Sequence, residues 1–545
     1  MLRLTELILP LDHTEAELRA AVLHRLGIGD KELRSIALYR RGQDARRRGH
    51  VRLVYSLDVE TTRDDELLAT FARDQHIGRT PDTCYRPVAT APPGLTERPV
   101  VIGFGPCGLF AALILAESGF RPIVLERGKA VRERTRDTWG LWRTRRLDPQ
   151  SNVQFGEGGA GTFSDGKLYS QIRDPRHLGR KVLEEFVAAG APDEIRYLSK
   201  PHIGTFRLVT VVQALREKII ALGGEIRFRQ QMTGLDIEDG RVVGVRLADG
   251  TGLTTGHVVL AVGHSARDTF RALHAGGVYL EAKPFSIGFR IEHPQSMIDR
   301  ARFGVQAGHP LLGAADYKLV YHATNGRSVY SFCMCPGGTV VAATSEAGHV
   351  VTNGMSQYSR NERNANAAIV VGITPADFPS ADPLAGIALQ EELEARAFVL
   401  GGSNYDAPAQ LVGDFLAHRA STGLGSVIPS YRPGVRLTDL DGLLPDYATA
   451  AIREALPAFG RRIPGFDAPD AVFTAVETRT SSPLCIRRDP VRLESVNTRG
   501  LYPAGEGAGY AGGIYSAAID GIEVAEAVAR SLIAAHAHGS GERSV

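Results

Sequence analysis

The chain has 545 residues, of which 43% are hydrophobic and 23% charged, and these proportions are those of an ordinary folded protein. Its 63 lysines and arginines nearly balance 61 acidic residues, so the net charge of +2 excludes a global attraction to nucleic acid or to a membrane surface. Five cysteines favour a reducing compartment over an exported, disulfide-linked protein. Because the N-terminus has no leader pattern and no apolar run approaches about 18 residues, we expect a cytoplasmic protein without a membrane span.

The first 90 residues predict a separate small domain of the α+β ferredoxin-like class. Hydrophobic alternation and turn residues place its strands at residues 2–11, 34–40, 51–59 and 83–88 and its helices at residues 14–26 and 64–73. The resulting βαββαβ order is that of a ferredoxin-like fold. Thr14, followed by Glu17, predicts a capping box at the start of the first helix.

A basic loop, residues 40–50, joins the second and third of these strands. Such a loop is either a solvated hairpin tip or a docking surface for RNA or an acidic protein. The neighbouring strands lack the aromatic residues on which RNA-binding modules of this fold stack bases. We therefore interpret the loop as a hairpin tip and do not expect nucleic acid as a partner.

Residues 100–128 carry the pattern of a site for the ADP half of a dinucleotide. An apolar strand runs into Gly103-x-Gly105-x-x-Gly108, a helix of small and apolar residues follows, and a second strand ends at Glu126. The glycines allow a tight turn, close approach of the backbone to the pyrophosphate and close packing of helix on strand. Glu126 is placed to accept hydrogen bonds from ribose hydroxyls. The predicted binding residues here are Gly103, Gly105, Pro106, Gly108, Glu126 and Arg127.

A second glycine-rich segment, residues 151–170, follows a basic amphipathic helix at residues 130–146. Its sequence GEGGAGTFSDGK suits a close approach of the backbone to an anionic or planar ligand, so it is either a cofactor-contacting loop or a flexible surface loop. A buried strand at residues 257–262 ends at a glycine, where strand ends meet a bound nucleotide. The predicted contacts in these segments are Gly159, Ala160, Gly161, Thr162 and Gly263.

Residues 500–521 decide between FAD and NAD as the nucleotide. They predict a short strand, a glycine-rich turn that carries Glu506, and a helix that starts near Gly513. Flavoproteins of the glutathione-reductase type close their FAD site with such a segment, and simple NAD dehydrogenases lack it. No second GxGxxG with a following acid occurs in the sequence, so a built-in NAD(P)H domain is not expected. FAD is the predicted cofactor, with contacts at Gly505, Glu506, Gly513 and Ile514.

A β-rich segment lies between the two halves of this site. We expect strands at residues 286–292, 327–333 and 367–372, a hairpin turn at Asn353-Gly354, and helices at residues 387–400 and 407–420. The fold class is therefore α/β: a two-part Rossmann-like FAD-binding domain with an inserted β-rich substrate domain and an N-terminal α+β ferredoxin-like domain. The predicted domains are residues 1–90 (ferredoxin-like), 97–278 (FAD-binding, first part), 279–494 (substrate) and 495–545 (FAD-binding, C-terminal part).

Six phrases support this organisation: GQDARRRGHVRLVYSLDVE, NVQFGEGGAGTFSDGKL, SFCMCPGGTVVAATSE, NGMSQYSRNERNANAAIVV, VETRTSSPLCIRRD and LYPAGEGAGYAGGIYSAAIDG. Together they closely resemble a family of bacterial and plastid FAD-dependent dehydrogenases of mostly undefined substrate, related to the glutathione-reductase-like flavoproteins. The resemblance runs from about residue 34 to residue 527. It implies a ferredoxin-like domain, an FAD domain and a substrate domain, and it brings no established reaction.

Two residues are catalytic candidates. Arg479 lies just upstream of the C-terminal FAD segment, where its guanidinium would either clamp a substrate carboxylate or form a salt bridge with Glu477 or another acid. His202 precedes a predicted helix that faces the flavin in related folds. It is either a general acid or base or a structural histidine.

Cys333 and Cys335 are either a redox pair or two buried thiols. On a regular strand their side chains point the same way, but their Cα atoms lie about 6.5–7 Å apart, at the upper edge of what a disulfide accepts. The spacing also differs from the CxxC of dithiol flavoenzymes, so we favour two buried thiols. No cluster of cysteine and histidine has ligand spacing, and no metal site is expected.

These observations predict an FAD-dependent oxidoreductase, a dehydrogenase or reductase that transfers hydride between a small, anionic substrate and flavin N5. Its expected partners are that substrate and an external electron donor or acceptor, such as NAD(P)H, O₂, a quinone or a carrier protein. Two alternatives stay open. One is an FAD protein that binds or modifies RNA through the basic N-terminal module, and the other is a non-enzymatic flavin-binding interaction protein.

Overall fold

The computed structural model describes residues 1–541, and its first unit is a four-stranded antiparallel sheet in the order β2–β3–β1–β4. The elements of this unit are β1 (Leu2–Pro10), α1 (Glu15–Leu26), β2 (Leu33–Asp44), β3 (Arg52–Thr61), α2 (Asp64–Thr70) and β4 (Ile77–Arg79). The predicted capping box of α1 is present, since Glu17 N donates to Thr14 Oγ1 at 3.2 Å and Thr14 N donates to Glu17 Oε2 at 2.6 Å. The element order is βαββαβ, and the ferredoxin-like assignment stays a prediction.

The last strand of this unit was predicted at the wrong place. It lies at Ile77–Arg79, paired with β1, whereas residues 83–88 have no regular structure. Asp82 accepts a hydrogen bond from the amide of Cys84 at 2.9 Å, a local turn that competes with an extended chain. Pro87 also lacks the N–H group that a strand would need there.

The next part of the chain builds most of a parallel sheet. Its elements are β5 (Val100–Ile102), α3 (Pro106–Glu117), β6 (Ile123–Glu126), α4 (Val131–Thr144), α5 (Leu178–Ala188), α6 (Thr205–Ala221), β7 (Glu225–Phe228), β8 (Met232–Glu238), β9 (Arg241–Leu247), β10 (Gly252–Thr254), β11 (Val258–Leu260) and α7 (Arg267–Ala275). Strands β8 to β10 form a separate antiparallel meander.

A larger, mostly antiparallel sheet of seven strands follows, in the order β14–β15–β18–β13–β21–β19–β20. This part of the chain contains β12 (Leu280–Ala282), β13 (Phe285–Pro294), α8 (Gln295–Phe303), β14 (Val320–His322), β15 (Ser328–Cys335), β16 (Gly338–Ala342), β17 (Thr352–Ser356), β18 (Asn364–Ile373), α9 (Ala385–Leu400), β19 (Ala407–Leu411), α10 (Val412–Leu416), β20 (Val435–Leu437), α11 (Asp446–Arg462), β21 (Val472–Glu477) and β22 (Leu484–Ile486).

Two expectations in this region were wrong. Asn353-Gly354 is not a turn but lies inside β17, where a Cβ on Gly354 would come within 2.2 Å of Arg290 Nη1. The glycine is therefore needed for close approach of a buried arginine. Residues 407–420 are not one helix, because β19 and the short α10 occupy residues 407–416. Pro408 disfavours a helix interior, and Ala407 and Ala409 are buried in the sheet.

The C-terminal elements, β23 (Leu501–Pro503) and α12 (Ile514–Gly541), return to the first sheet. Strand β23 pairs in parallel with β11, which gives a five-stranded parallel sheet in the order β23–β11–β5–β6–β7. Helix α12 crosses α3 so closely that a Cβ on Gly521 would lie 2.2 Å from the carbonyl oxygen of Cys107. The two-part Rossmann-like fold predicted from the sequence is confirmed. Within residues 1–541 no helix is long and apolar enough to span a bilayer.

Candidate cofactor and substrate site

A cavity of about 830 Å³ lies between the parallel sheet and the seven-stranded sheet. Its volume is in the upper part of the roughly 300–1,000 Å³ range typical of small-molecule and cofactor sites. The carboxyl ends of four parallel strands open onto it, through Ile102, Leu125, Ala261 and Ala504. Ligands of open α/β sheets bind at this edge.

The glycine turn after β5 forms one end of the cavity. Gly103 has φ +94°, and a Cβ there would lie 2.4 Å from the carbonyl oxygen of Ala261. Gly108 does not line the cavity; it lets α3 pack on this turn, because a Cβ would lie 2.0 Å from Gly103 O. Gly105 and Pro106 do line it, so the N-terminus of α3 and its unpaired N–H groups open onto the cavity.

Glu126 holds the glycine turns together. Its buried carboxylate accepts hydrogen bonds from the backbone N–H groups of Phe104 at 2.9 Å, Gly128 at 2.8 Å and Gly156 at 2.9 Å. It lines the cavity, as expected for a ribose-binding acid, and it also fixes the loop that the sequence placed beside the cofactor.

Arg127, the neighbour of that acid, also lines the cavity. Its guanidinium is ion-paired with Asp268 and lies 4.3 Å above the ring of Phe155. These two contacts fix the orientation of the arginine at the cavity wall.

The loop at residues 151–170 contributes a short turn of 3-10 helix, Ala160–Phe163. Gly159, Ala160 and Gly161 line the cavity as predicted. Thr162 does not, since its hydroxyl is buried behind the turn, where it has no hydrogen-bond partner. The sequence could not distinguish these positions, because they lie on opposite sides of a single helical turn.

The C-terminal segment closes the cavity through Gly505, Glu506, Gly513 and Ile514. Gly263, at the end of β11, and Gly513 have φ +72° and +99°, and no atom lies within 4 Å of the position of a Cβ on either. Both therefore expose bare backbone to the cavity. A planar ring with a phosphate tail fits such a cradle of glycine backbone and helix N-terminus.

Of the two catalytic candidates, the structure brings Arg479 to the cavity wall. Its guanidinium is held by Glu394, with Nε–Oε1 3.0 Å and Nη2–Oε2 2.8 Å, and Nη1 donates to Ser345 Oγ at 2.7 Å. The salt-bridge alternative thus describes this residue, with Glu394 as the acid. Glu477 pairs instead with Arg290, at 2.9 Å.

His202 is not among the residues that line the cavity. Its ring stacks on Tyr358, and Nε2 lies 2.9 Å from the carbonyl oxygen of that residue. Burial and the charge of Arg360 lower the pKa of His202 to about 4, so the ring is neutral at pH 7. This geometry fits the structural alternative.

Two cavity residues were missed as candidates, Lys167 and His264, and Cys333 lines the cavity beside them. Burial lowers the pKa of His264 to about 4, so its imidazole is neutral. Although burial opposes it, the neighbouring Cys333 and Cys335 raise the pKa of Lys167, which stays protonated. His264 and Lys167 each follow a glycine, Gly263 at the end of a strand and Gly166 at the end of a loop. That position in the sequence could have identified both as cavity residues.

Glu506 gives the site a group that titrates near neutrality. Burial raises its pKa from 4.5 to about 7. Between these values the native protein keeps a proton that the unfolded chain has lost, so stability falls as pH rises from about 4.5 to about 7 and then levels off. We expect the Glu506→Gln variant to lose this slope, which is worth about 3 kcal/mol. Chemical denaturation of both proteins from pH 4.5 to 8 measures the free energy of unfolding against pH. The same pH dependence in wild type and variant would contradict a raised pKa of Glu506.

Comparison with known proteins agrees with the site. Residues 284–480 match the model of the FAD-dependent protein C-terminal domain, and residues 1–60 match a domain of unknown function. A protein of Clostridium beijerinckii, named only as uncharacterized, is 45% identical over 526 residues, which are 96% of this chain and 98% of that protein.

Among solved structures, CtdE in complex with FAD is 13% identical, with 82% of this chain and 94% of that chain covered and a TM-score of 0.30. Glycine oxidase from Bacillus cereus is 12% identical, with 80% and 96% covered and a TM-score of 0.32. The family match falls on the seven-stranded sheet, and the Clostridium relative is similar to this chain over nearly its whole length. The chain belongs to this family of FAD-dependent proteins, and FAD is its cofactor.

Proposed function

We propose that the chain is an FAD-dependent oxidoreductase that transfers hydride between a small, anionic substrate and flavin N5. One observation carries this proposal: a single cavity continues from the nucleotide-binding turn to the seven-stranded sheet and on to a cationic mouth. When bound, FAD supplies a two-electron carrier that reacts at N5. The residues of the chain then bind the substrate, orient it and manage its proton.

The inner wall offers one cation and one neutral imidazole to a substrate. Lys167 is a half-buried ammonium at the cavity wall and suits a carboxylate or similar anion. His264 lies at the end of β11, with Nδ1 3.1 Å from Ser265 Oγ, and its neutral ring can both donate and accept a hydrogen bond. Glu506, with a pKa of about 7, is suited to accept or release a proton near neutral pH.

The mouth of the cavity is lined by Arg40 from the N-terminal unit and by Lys200 and Lys318. Asp316 neutralises Lys200 at 2.6 Å, which leaves a net positive charge among these four groups. Such a mouth raises the local concentration of anions and speeds their entry. It therefore favours an anionic substrate.

We expect Arg40→Glu, combined with Lys318→Glu, to raise the KM for the substrate about tenfold with little change in kcat. Both residues attract the substrate at the mouth of the cavity and lie away from the atoms that react. The matched control is Arg34→Glu, on the same strand and exposed, where it pairs with Glu60. Steady-state kinetics at low and high salt test this. An unchanged KM, or a KM without salt dependence, would contradict an electrostatic role.

The structure gives the predicted basic loop a packing role. Val51 N donates to Gln306 Oε1 at 2.7 Å and Gln43 Nε2 donates to Leu311 O at 3.0 Å, so the hairpin base is attached to the segment after α8. Arg46 is ion-paired with Asp44. These contacts fit a hairpin tip packed on the neighbouring segment, and the RNA alternative is not proposed.

The experiment that tests the function follows the flavin absorbance near 450 nm without oxygen. Rapid bleaching by NADH or NADPH would identify a nicotinamide-driven reductase, and the acceptor is then sought among quinones, O₂ and carrier proteins. Bleaching by amines or hydroxy acids would identify a dehydrogenase. A flavin that no reductant or substrate reduces at a useful rate would overturn the proposal in favour of a structural flavin.

A further inference from the structure

The two cysteines of β15 meet at an irregularity of the strand. The register of β15 against β18 slips between Phe332 and Cys335, so one extra residue is accommodated. Cys333 takes φ +44°, in the left-handed region that residues other than glycine rarely adopt. Because the backbone is not extended here, the Cα separation of a regular strand, which argued against a disulfide, does not apply.

The Cys335 thiol lies against the backbone of Cys333. The Cys335 thiol donates a hydrogen bond to the carbonyl oxygen of Cys333, with Sγ 3.4 Å from that oxygen. The two thiols differ in access. Cys333 is partly exposed and lines the cavity, whereas Cys335 is fully buried behind it. An accessible sulfur beside a buried one is the arrangement of an attacking and a resolving thiol.

The charges around Cys333 favour a thiolate. Lys167 Nζ donates to the carbonyl oxygen of Met334, between the two cysteines, and Arg290 Nη1 donates to Cys333 O at 3.3 Å. The Cys335 thiol, followed by Lys167 and Arg290, holds the pKa of Cys333 well below its usual range, against the effect of burial. Three acids also face this group, Asp165, Glu477 and Glu506. Asp165 is paired with Arg360 and Glu477 with Arg290, and the pKa of Glu506 is raised to about 7.

We propose that Cys333 and Cys335 form a redox-active dithiol that reduces a small disulfide admitted through the cavity. The Cys333 thiolate attacks one sulfur of the substrate R–S–S–R, which forms a Cys333–S–S–R bond and releases R–S⁻. Cys335 then attacks the Cys333 sulfur and its proton passes to the second departing thiolate, so the Cys333–Cys335 disulfide closes. The cysteines lose two electrons and the substrate gains two. This chemistry is additional to hydride transfer and does not depend on the identity of the flavin substrate.

The first test measures alkylation of the FAD-loaded protein by iodoacetamide between pH 5.5 and 9, with each cysteine followed by peptide mass spectrometry. Cys84, an exposed cysteine outside the cavity, is the internal reference. We expect Cys333 to react at least about tenfold faster than Cys84 at pH 6.5 and to keep its rate at acidic pH. Reaction of Cys333 no faster than Cys84 would overturn the proposal, and no variant is needed for this result.

The second test adds 2-hydroxyethyl disulfide to the same protein. Wild type should lose two hydrogen atoms in the peptide that contains both cysteines, and Cys335→Ser should instead retain a mixed disulfide on Cys333. Lys167→Met should shift the alkylation of Cys333 to higher pH, a readout that a merely structural lysine would not move. A mixed disulfide that persists in wild type, without ring closure, would contradict the resolving role of Cys335.

Discussion

Gly105→Val is expected to yield a folded protein that retains no FAD. Gly105 precedes α3 in extended backbone, at φ −76°, which a β-branched residue adopts without strain. A Cβ there would meet only the backbone of Gly159, with Cα at 3.6 Å and N at 4.0 Å, which are ordinary van der Waals distances. The added methyl groups would therefore fill the space between the N-terminus of α3 and the cavity rather than disturb the packing. Separating the pyrophosphate from these N–H groups should weaken FAD binding at least 100-fold, or about 3 kcal/mol.

The flavin-to-protein ratio after purification and a titration of the protein with FAD measure this effect. Gly372→Val is the matched control, because a Cβ on Gly372 meets no atom within 4 Å and this position in β18 does not line the cavity. The control should keep its FAD. Melting of both variants without added FAD separates lost binding from lost folding. A Gly105→Val protein that binds FAD as wild type does would disprove the assignment of the pyrophosphate to this turn.

Glu394→Gln is expected to cause a large loss of stability. The Glu394 carboxylate is fully buried on α9 and binds two buried arginines, Arg267 and Arg479, with Nη2–Oε1 2.7 Å to the first. Thr478 Oγ1 donates to it at 2.7 Å. Removing its charge leaves two guanidinium groups with the partly exposed Glu346 as their remaining acid. Breaking a buried pair costs about 3–5 kcal/mol.

The loss should also depend on pH. Although burial opposes it, the two arginines hold the pKa of Glu394 far below its usual value. The carboxylate therefore stabilises the fold above about pH 4.5, and that contribution is lost as the pH falls, so wild type and variant converge in acid. Denaturant unfolding at pH 7 and at a series of pH values from about 4 down to about 2.5 measures both effects, because the loss is spread between the ordinary pKa of a glutamate and the much lower native one. Glu391→Gln, on the same helix with a more exposed ion pair to Arg271, should cost less than about 1 kcal/mol. Equal losses in the two variants would contradict this account.

The cofactor site was predictable because its signals are local. The turn from β5 into α3 needs Gly103 for its positive φ and Gly108 for the packing of the helix on the turn. The two glycines are close together in the chain, so a short sequence motif reveals both requirements. The C-terminal half was found in the same way, from Gly505, Glu506 and Gly513. Thr162 was predicted to line the cavity but does not, because neighbouring residues of a tight turn face opposite sides and the sequence does not tell which side each one faces.

The contacts that surround the substrate space were not predictable. Arg479 and its partner Glu394 are 85 residues apart, and Lys167 reaches the backbone beside Cys333 across 167 residues. Such contacts depend on how two sheets pack against each other, and that packing cannot be predicted from a single sequence. The bulge at Cys333 was hidden for a related reason, because its register slip exists only relative to β18.

The return of β23 to the first sheet has a consequence for how the protein is made. The nucleotide-binding turn at Gly103 is synthesised long before β23 and α12, which complete its sheet and cover α3. Until they arrive, β11 presents an unpaired edge and the apolar surface of α3 lacks its cover. Contacts this distant in the chain form slowly, and exposed strand edges invite aggregation. Cofactor loading therefore has to wait until β23 and α12 have been made, and a ribosome-bound chain that stops before residue 500 should require chaperone protection.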